Sequence, residues 1–418
     1  MILKNNYLCA VDIGSSKICA CLARMKKKQV AELFFESVAS RGVKEGTVVN
    51  SIDLVGSLSA LMKSLKAKSG INVSSLSVNV SGPDILTKHS RAIVPLAERG
   101  NKVITASDMQ KAVEQARILG SSLEEEIIHQ IPSSYTIDSK SNIANPLGLY
   151  SHSLEVDLYL ICARLSSIQS LTRVINQSGY DLKNLFFSGL ATASAVFSKE
   201  FKEGANILCD IGSDTTQMLF FKSGILADIE ILPVGGDSLT AQLQEALKIP
   251  IELAEDIKRS HGVIGDALQI SEDKEILVKK SNFYKPIKQK LVSQIITPAA
   301  LSLCSAIKEA AEKRTPLYEL NNFVTAGRAM FLEGLIEMLE NVLSIPVQIG
   351  RINNPAVLAL AKEDSALAGR QYLTYLTAIG MLCETLNQEQ EDVLSELHPQ
   401  NPLLKAVSKF KEAYQEYF

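Results

Sequence analysis

Two distant stretches of the chain repeat one order of elements. Residues 7–13 (YLCAVDI), 17–23 (KICACLA) and 30–38 (VAELFFESV) are short apolar runs separated by the polar turns GSS and RMKKKQ, the pattern of an antiparallel meander. The order returns at 207–211 (ILCDI), 216–222 (TQMLFFK) and 225–232 (ILADIEIL), separated by GSDT and SG. In each copy Asp-Ile-Gly closes the first strand, so Asp12 corresponds to Asp210, and the repetition predicts two similar halves. After each meander the apolar period becomes helical. Ile52, Val55, Leu58, Leu61, Met62 and Leu65 recur at spacings of three and four within 51–69, and 237–247 does the same behind a Gly-Gly pair. Strands that feed crossover helices, twice over, predict an α/β architecture.

Length agrees with such a duplication, because 418 residues exceed what one hydrophobic core usually supports. A composition of 46% hydrophobic and 21% charged residues is that of an ordinary globular protein. The net charge of -3 gives no electrostatic reason for a nucleic-acid partner, and none is expected. The seven cysteines are scattered without a CxxC pair and read as buried free thiols of a reducing cytosol. The five histidines have no metal-ligand spacing. No run of 18 apolar residues exists and MILKNNYLCAVDIG lacks the features of a signal peptide, so a cytosolic start is expected.

Residues 84–165 have a different texture. A strand-like RAIVPLA precedes a helix opening at Ser107, and EEIIHQIPSSYTID and LEVDLYLICAR follow as further strands, which predicts a βαββ-like insertion. The expected organisation is therefore a first subdomain over 1–83, the insertion over 84–165, and a return to the first subdomain over 166–205. A second half follows over 206–384, with its own insertion at about 240–310. Residues 385–402 (TLNQEQEDVLSELHPQNP) read as a polar linker in which DVLSEL could form one helical turn or two, and 403–418 as an amphipathic helix.

The turns carry the chemistry. A turn between two strands that ends in Ser or Thr aims successive backbone N–H groups at phosphate oxygens, and needs glycine where the backbone must approach closely. DIGSSK supplies Asp12, Gly14, Ser15, Ser16 and Lys17; DIGSDTT supplies Asp210, Gly212, Ser213, Asp214, Thr215 and Thr216. Asp12 and Asp210, at corresponding strand ends, are the expected pair holding the waters of one Mg²⁺. One such turn alone is ordinary hairpin chemistry. Two copies, followed by VGGD at 234–237 and TAG at 325–327, describe the duplicated RNase H-like fold of actin-like ATPases.

A family resemblance rests on longer segments. VDIGSSKICACLA, SRGVKEGTVVN (40–50), VNVSG (78–82), IIHQIPSSYTID, SGLATASAVFS and AEDIKRSHG together resemble FtsA, and the resemblance runs to residue 383, where YLTYLTAIGML looks like the family's last core helix. The pilus-assembly relative PilM shares the fold but matches these segments less well. The resemblance implies an ATP·Mg²⁺ cleft formed by the two turns, with Gly235 and Gly236 at a helix-opening turn, Glu255 and Lys258 at the ribose and Ala326 and Gly327 at the adenine. It also implies an inserted subdomain used in polymer contacts and in binding later division proteins, and a site for the FtsZ C-terminal tail in the lobe around 225–310. The family usually reads DIGGGTTD; here Ser213, Asp214 and Gln217 stand in place of Gly, Gly and Asp, and Ser188 stands where hydrolytic relatives have an acid. ATP turnover is therefore expected to be slow or absent.

The last residues give a separate indication. At 100° per residue, Leu403, Leu404, Val407, Phe410, Tyr414, Tyr417 and Phe418 share one face of NPLLKAVSKFKEAYQEYF, with lysines and glutamates opposite, a pattern that on its own suits packing on the chain's own domain as well as lying on a membrane. FtsA proteins end in such a helix, which lies on the membrane. The expected function is a peripheral, actin-like, ATP-binding polymer that anchors FtsZ to the cytoplasmic face of the cell membrane at the division site. The alternatives are a nucleotide-free actin-like scaffold, a PilM-like pilus-assembly relative, and a sugar-kinase-type phosphotransferase, for which no catalytic motif is legible.

Overall fold

The computed structural model describes residues 7–397 apart from 27–28, 98–99, 198–200, 202, 266–274, 281–282 and 362–364. The tail at 403–418 lies outside the described residues.

The repeat seen in the sequence is a repeat of sheets. In the first, the strand order is Asp181–Phe187, Ser75–Val80, Tyr7–Ile13, Lys17–Lys26, Gln29–Ala39; in the second it is Gln348–Ile349, Leu320–Ala326, Ala205–Ile211, Thr216–Lys222, Ile225–Leu232. Each sheet has its first strand at the centre, antiparallel to its second strand and parallel to its fourth. Cys9, Val11, Cys19 and Cys21 in one half, and Leu208, Cys209, Met218 and Leu219 in the other, are buried, as runs covered on both faces must be.

The crossover helix of the first half, α1 (Ser51–Ser69), is capped by Asn50, whose side chain accepts from the N–H groups of Ile52 and Asp53 at 3.1 and 3.2 Å. Leu54, Leu58, Leu61, Met62 and Leu65 form its inner face, whereas Ile52, counted in the apolar stripe on spacing, is 81% exposed at the first turn.

The insertion is a four-stranded antiparallel sheet in the order Lys140–Ile143, Glu125–Ile137, Ser153–Arg164, Ile85–Pro95, with helix α2 (Ala106–Gly120) packed on the last two. Its own apolar cluster includes Met109, Ala112, Tyr135, Leu158 and Leu160. The cap of α2 is Thr105, not Ser107. Thr105 and Asp108 bond reciprocally in a capping box, so the helix opens earlier than the SDMQ pattern suggested. His129 joins the insertion to the first half: its Nε2 accepts from the N–H of Phe187 at 2.8 Å.

Helices α3 (Leu165–Gln177) and α4 (Ser188–Val196) belong to the first half; the second adds α5 (Asp237–Leu247), α6 (Ile251–His261), a hairpin of Glu275–Lys280 with Phe283–Lys288, and α7 (Gln289–Glu312). Helix α7 is long and apolar enough to cross a membrane, but it lays Val292, Ile296, Ala300, Leu303 and Ile307 into the core, against α5 and α8 (Leu335–Leu343).

Two expectations about the end of the chain need correction. Helices α9 (Pro355–Ala361) and α10 (Leu376–Leu397) pack on the first half, so that half takes back the chain well before residue 384. Helix α10 lies against α4 (Ser188–Val196), where Ser194 donates to Glu384 at 2.5 Å and Thr192 meets Thr377 at 3.1 Å. It also continues through residues 385–397, read above as linker. LNQEQEDVLSEL is built from good helix formers and contains no Gly or Pro, so its polarity gave no reason for the helix to stop.

Candidate functional site

The two Asp-Ile-Gly turns close alike. The N–H of Gly14 bonds the carbonyl of Lys17 at 3.0 Å, and that of Gly212 bonds the carbonyl of Thr215 at 2.9 Å. Both face a cleft of about 710 Å³ between the halves. Asp12, Gly14, Ser15, Ser16, Lys17, Asp210, Gly212, Ser213, Asp214, Thr215, Gly236, Glu255, Lys258 and Gly327 all line it, so most of the residues singled out in the sequence meet there.

Three do not. Thr216 is fully buried and donates its hydroxyl to the Val234 carbonyl at 2.8 Å, because it opens a central strand with its side chain turned into the half. Gly235 packs under the second turn, where a Cβ would lie 2.5 Å from the Ser213 carbonyl oxygen. Ala326 is buried in its strand, so the slot beside it is set by Gly327. At Gly327 φ is +91°, and a Cβ would meet the Ile211 carbonyl oxygen at 2.2 Å and Asp210 Oδ1 at 2.7 Å; only glycine lets the two turns approach there.

In the first turn Lys17 Nζ contacts Asp12 Oδ2 at 2.5 Å and Cys19 Sγ at 3.1 Å. Burial alone would lower the Lys17 pKa, but the Asp12 carboxylate outweighs it and lifts Lys17 above its ordinary value. The other oxygen of Asp12 accepts from the Asn79 amide at 2.8 Å. Asn79 also bonds the N–H of Ile13 and the hydroxyl of Ser188, which in turn donates to the Val80 carbonyl at 3.0 Å. Ser188 is thus held in a structural network and has no basic function to offer.

On the opposite strand end, burial raises Asp210 to about 6; a hydroxyl bond from Thr192 at 3.0 Å opposes the rise and nearby Asp12 adds to it. Among the described residues no cluster of three or more metal-ligating side chains occurs.

The pair Glu255 and Lys258 is no solvated surface ion pair. The two side chains lie 2.6 Å apart, Lys258 is 8% exposed, and its Nζ also donates to the Gly236 carbonyl at 2.8 Å and to Thr240 at 2.7 Å. The helix α6 is thereby tied to the Gly-Gly turn that opens α5. Burial opposes ionisation of Glu255, yet Lys258 holds its pKa below the usual range.

Asp214, the anomalous acid, turns out of the strand direction and across the cleft. Its Oδ2 accepts from the backbone N–H of Glu45 at 2.7 Å. Next to it the N–H of Gly46 donates to Ser15 at 3.2 Å. Sequence reasoning missed this SRGVKEG hairpin as a wall of the cleft; its glycines were the available signal. It also missed Asn79 and Arg328, whose guanidinium reaches the Ser16 hydroxyl from the second half. Gln217 stands opposite Asp210 in register, is buried, and its Oε1 has no partner among the described residues.

Comparison with known proteins fits this geometry. The family described as "Cell division protein FtsA" matches residues 207–377, and "SHS2 domain inserted in FTSA" matches residues 82–162, the insertion. The cell division protein FtsA of Borreliella burgdorferi is 26% identical over 353 residues, covering 83% of this chain and 85% of the relative. The structure is similar to that of the PilM-PilN type IV pilus biogenesis complex, with a TM-score of 0.61, 15% identity and coverage of 91% and 98% of the two chains. It is also similar to MreB5 of Spiroplasma citri bound to ADP, with a TM-score of 0.53, 10% identity and coverage of 93% and 98%. An actin-like duplication with this insertion at this place shows that the chain belongs to the FtsA family of cell-division proteins.

Proposed function

We propose that the protein is a membrane-tethered, actin-like, ATP-binding member of the division machinery, which polymerises and anchors FtsZ to the cytoplasmic membrane with little or no hydrolysis. The observation that carries the nucleotide part is the pair of equivalent Gly-closed turns facing one cleft, with Lys17, Arg328 and hydroxyls between them. Family membership supports the remaining parts: self-association and later division partners through the insertion, the FtsZ C-terminal tail in the lobe around 225–310, and the membrane through the apolar face of 403–418.

Magnesium fits the site in one way only. Both oxygens of Asp12 are engaged by Lys17 and Asn79, so Asp12 and Asp210 suit hydrogen bonds to the ion's water shell rather than direct ligation. Mg²⁺ bound with nucleotide supplies neutralisation of phosphate charge. Slow or absent turnover is supported by Ser188, whose hydroxyl is committed to Val80 and Asn79, and by Gln217, whose amide takes no proton.

Sedimentation with anionic liposomes and FtsZ, with and without ATP·Mg²⁺, tests the tether, the partner and the nucleotide together. Full-length protein is expected in the lipid pellet with FtsZ, individually weak binding being reinforced by polymerisation. A variant lacking 401–418 that pellets equally well would refute the tether, and failure to carry FtsZ would refute the partner. The engagement of Asp12 also favours a second reading, an actin-like scaffold that needs no nucleotide; a melting temperature unmoved by saturating ATP or ADP would support it.

A further inference from the structure

The contact between Asp214 and Glu45 joins the two phosphate-facing walls of the cleft. Glu45 and Gly46 sit at the tip of the hairpin formed by Val43–Lys44 and Thr47–Val48, both with positive φ (50° and 76°). That conformation turns two successive backbone N–H groups into the cleft, the kind of donor pair an anion takes. One of them is already occupied by the Asp214 carboxylate and the other by Ser15. An anionic group arriving at this end meets a carboxylate where it would otherwise meet an N–H.

The neighbourhood adds to this. Partial burial raises the pKa of Asp237; Ser213 and Lys258 oppose the rise and the nearby Asp214 carboxylate adds to it. The cleft as a whole is lined by six acids (Asp12, Asp210, Asp214, Asp237, Glu255, Asp256) and four bases (Lys17, Lys258, Arg259, Arg328), so acids outnumber bases. Of the bases, Lys17 is paired with Asp12 and Lys258 with Glu255. Each additional phosphate therefore enters a field that is already negative, and most so beside Asp214.

We infer that Asp214 is a specificity-determining residue: it latches the hairpin at Glu45 to the second phosphate turn and makes the cleft select a nucleoside diphosphate over the triphosphate. This rests on the nucleotide reading above: ATP remains a ligand of the cleft, held the more weakly of the two. The turn's other functions do not need an acid at 214, since an amide oxygen would accept from the Glu45 N–H equally well.

The test is calorimetric titration of the full-length protein and of Asp214→Asn with ADP and with ATP, each in magnesium buffer. Asn keeps the hydrogen-bond acceptor and removes the charge, so folding and the latch are retained; Asp214→Ser serves as a second variant, and equal melting temperatures check both. The wild type is expected to bind ADP at least tenfold more tightly than ATP. Asp214→Asn is expected to gain at least tenfold for ATP while ADP moves less than threefold. A wild type that prefers ATP, or a substitution that moves both nucleotides alike, overturns the inference and leaves the nucleotide site standing. Absence of binding of either nucleotide to either protein overturns the site itself and the inference with it.

Discussion

Lys17 and Asp12 form an ion pair at 2.5 Å on the floor of the cleft, with side chains only 15% and 10% exposed. A pair so enclosed is costly to break from one side, because the remaining charge stays buried without its counter-charge. Lys17→Met is expected to destabilise the protein by about 3 kcal/mol. Adding Asp12→Asn to it should recover a large part of that loss. Urea unfolding of the two single variants and the double variant measures the coupling, and additive losses would show the pair to be energetically independent.

Arg328 crosses from the second half to the Ser16 hydroxyl in the first Asp-Ile-Gly turn. A guanidinium in that place supplies charge-assisted hydrogen bonds to a phosphate group. Arg328→Ala is expected to weaken ADP binding by about tenfold or more, at a cost in intrinsic stability of about 1 kcal/mol. Equal affinity in the variant by fluorescent-nucleotide titration would remove Arg328 from the site.

His129 links acidity to the joint between the insertion and the first half. Burial depresses its pKa to about 3, below the 6.5 of an exposed imidazole, and its neutral ring accepts from Phe187. The folded pKa lies below the unfolded one, so the stabilisation is complete above pH 6.5 and is lost progressively as pH falls towards 3. By pH 5 the loss from this group alone is about 2 kcal/mol. His129→Gln is expected to be less stable than the wild type at pH 7.5 but to lose less between pH 7.5 and 5. Parallel denaturation curves across that range would contradict the assignment.

Gly380 on α10 lies against the backbone of α4: a Cβ added there would fall 1.6 Å from the Ala191 carbonyl oxygen. Small residues along SGLATASAV allow this approach. Gly380→Ala must push the helices apart, and is expected to cost about 3 kcal/mol, as overpacking of a filled core does. Thermal unfolding by circular dichroism measures it, and a variant as stable as the wild type would show that the contact relaxes freely.

The sequence carried the fold where it was periodic. Asp12 and Asp210 sit at matching strand ends in register with Cys19 and Gln217, and α1 spans the residues its period marked. What it carried less well were contacts between segments far apart in the chain. Asn79, Glu45 and Arg328 have no local pattern that aims them at a cleft; they reach it because the hairpin at 43–48, the end of Ser75–Val80 and the turn after Leu320–Ala326 converge there. Thr216 was misplaced for a related reason. Thr215 ends the turn and Thr216 opens the strand, and the letters Thr-Thr do not say which of the two looks into the cleft. The charge at Asp214 was legible, but not its bond to the Glu45 N–H across the cleft.

Helix α10 has one further consequence. Leu386 is still packed in the core, and the helix then runs on for the eleven residues 387–397, a rod of about 16 Å. The helix up to Leu397 is thus continuous with the segment fixed to α4 and to the first sheet. A displacement of α10 is therefore passed to α4 and to the sheet that carries Asp12 and Lys17, one wall of the cleft.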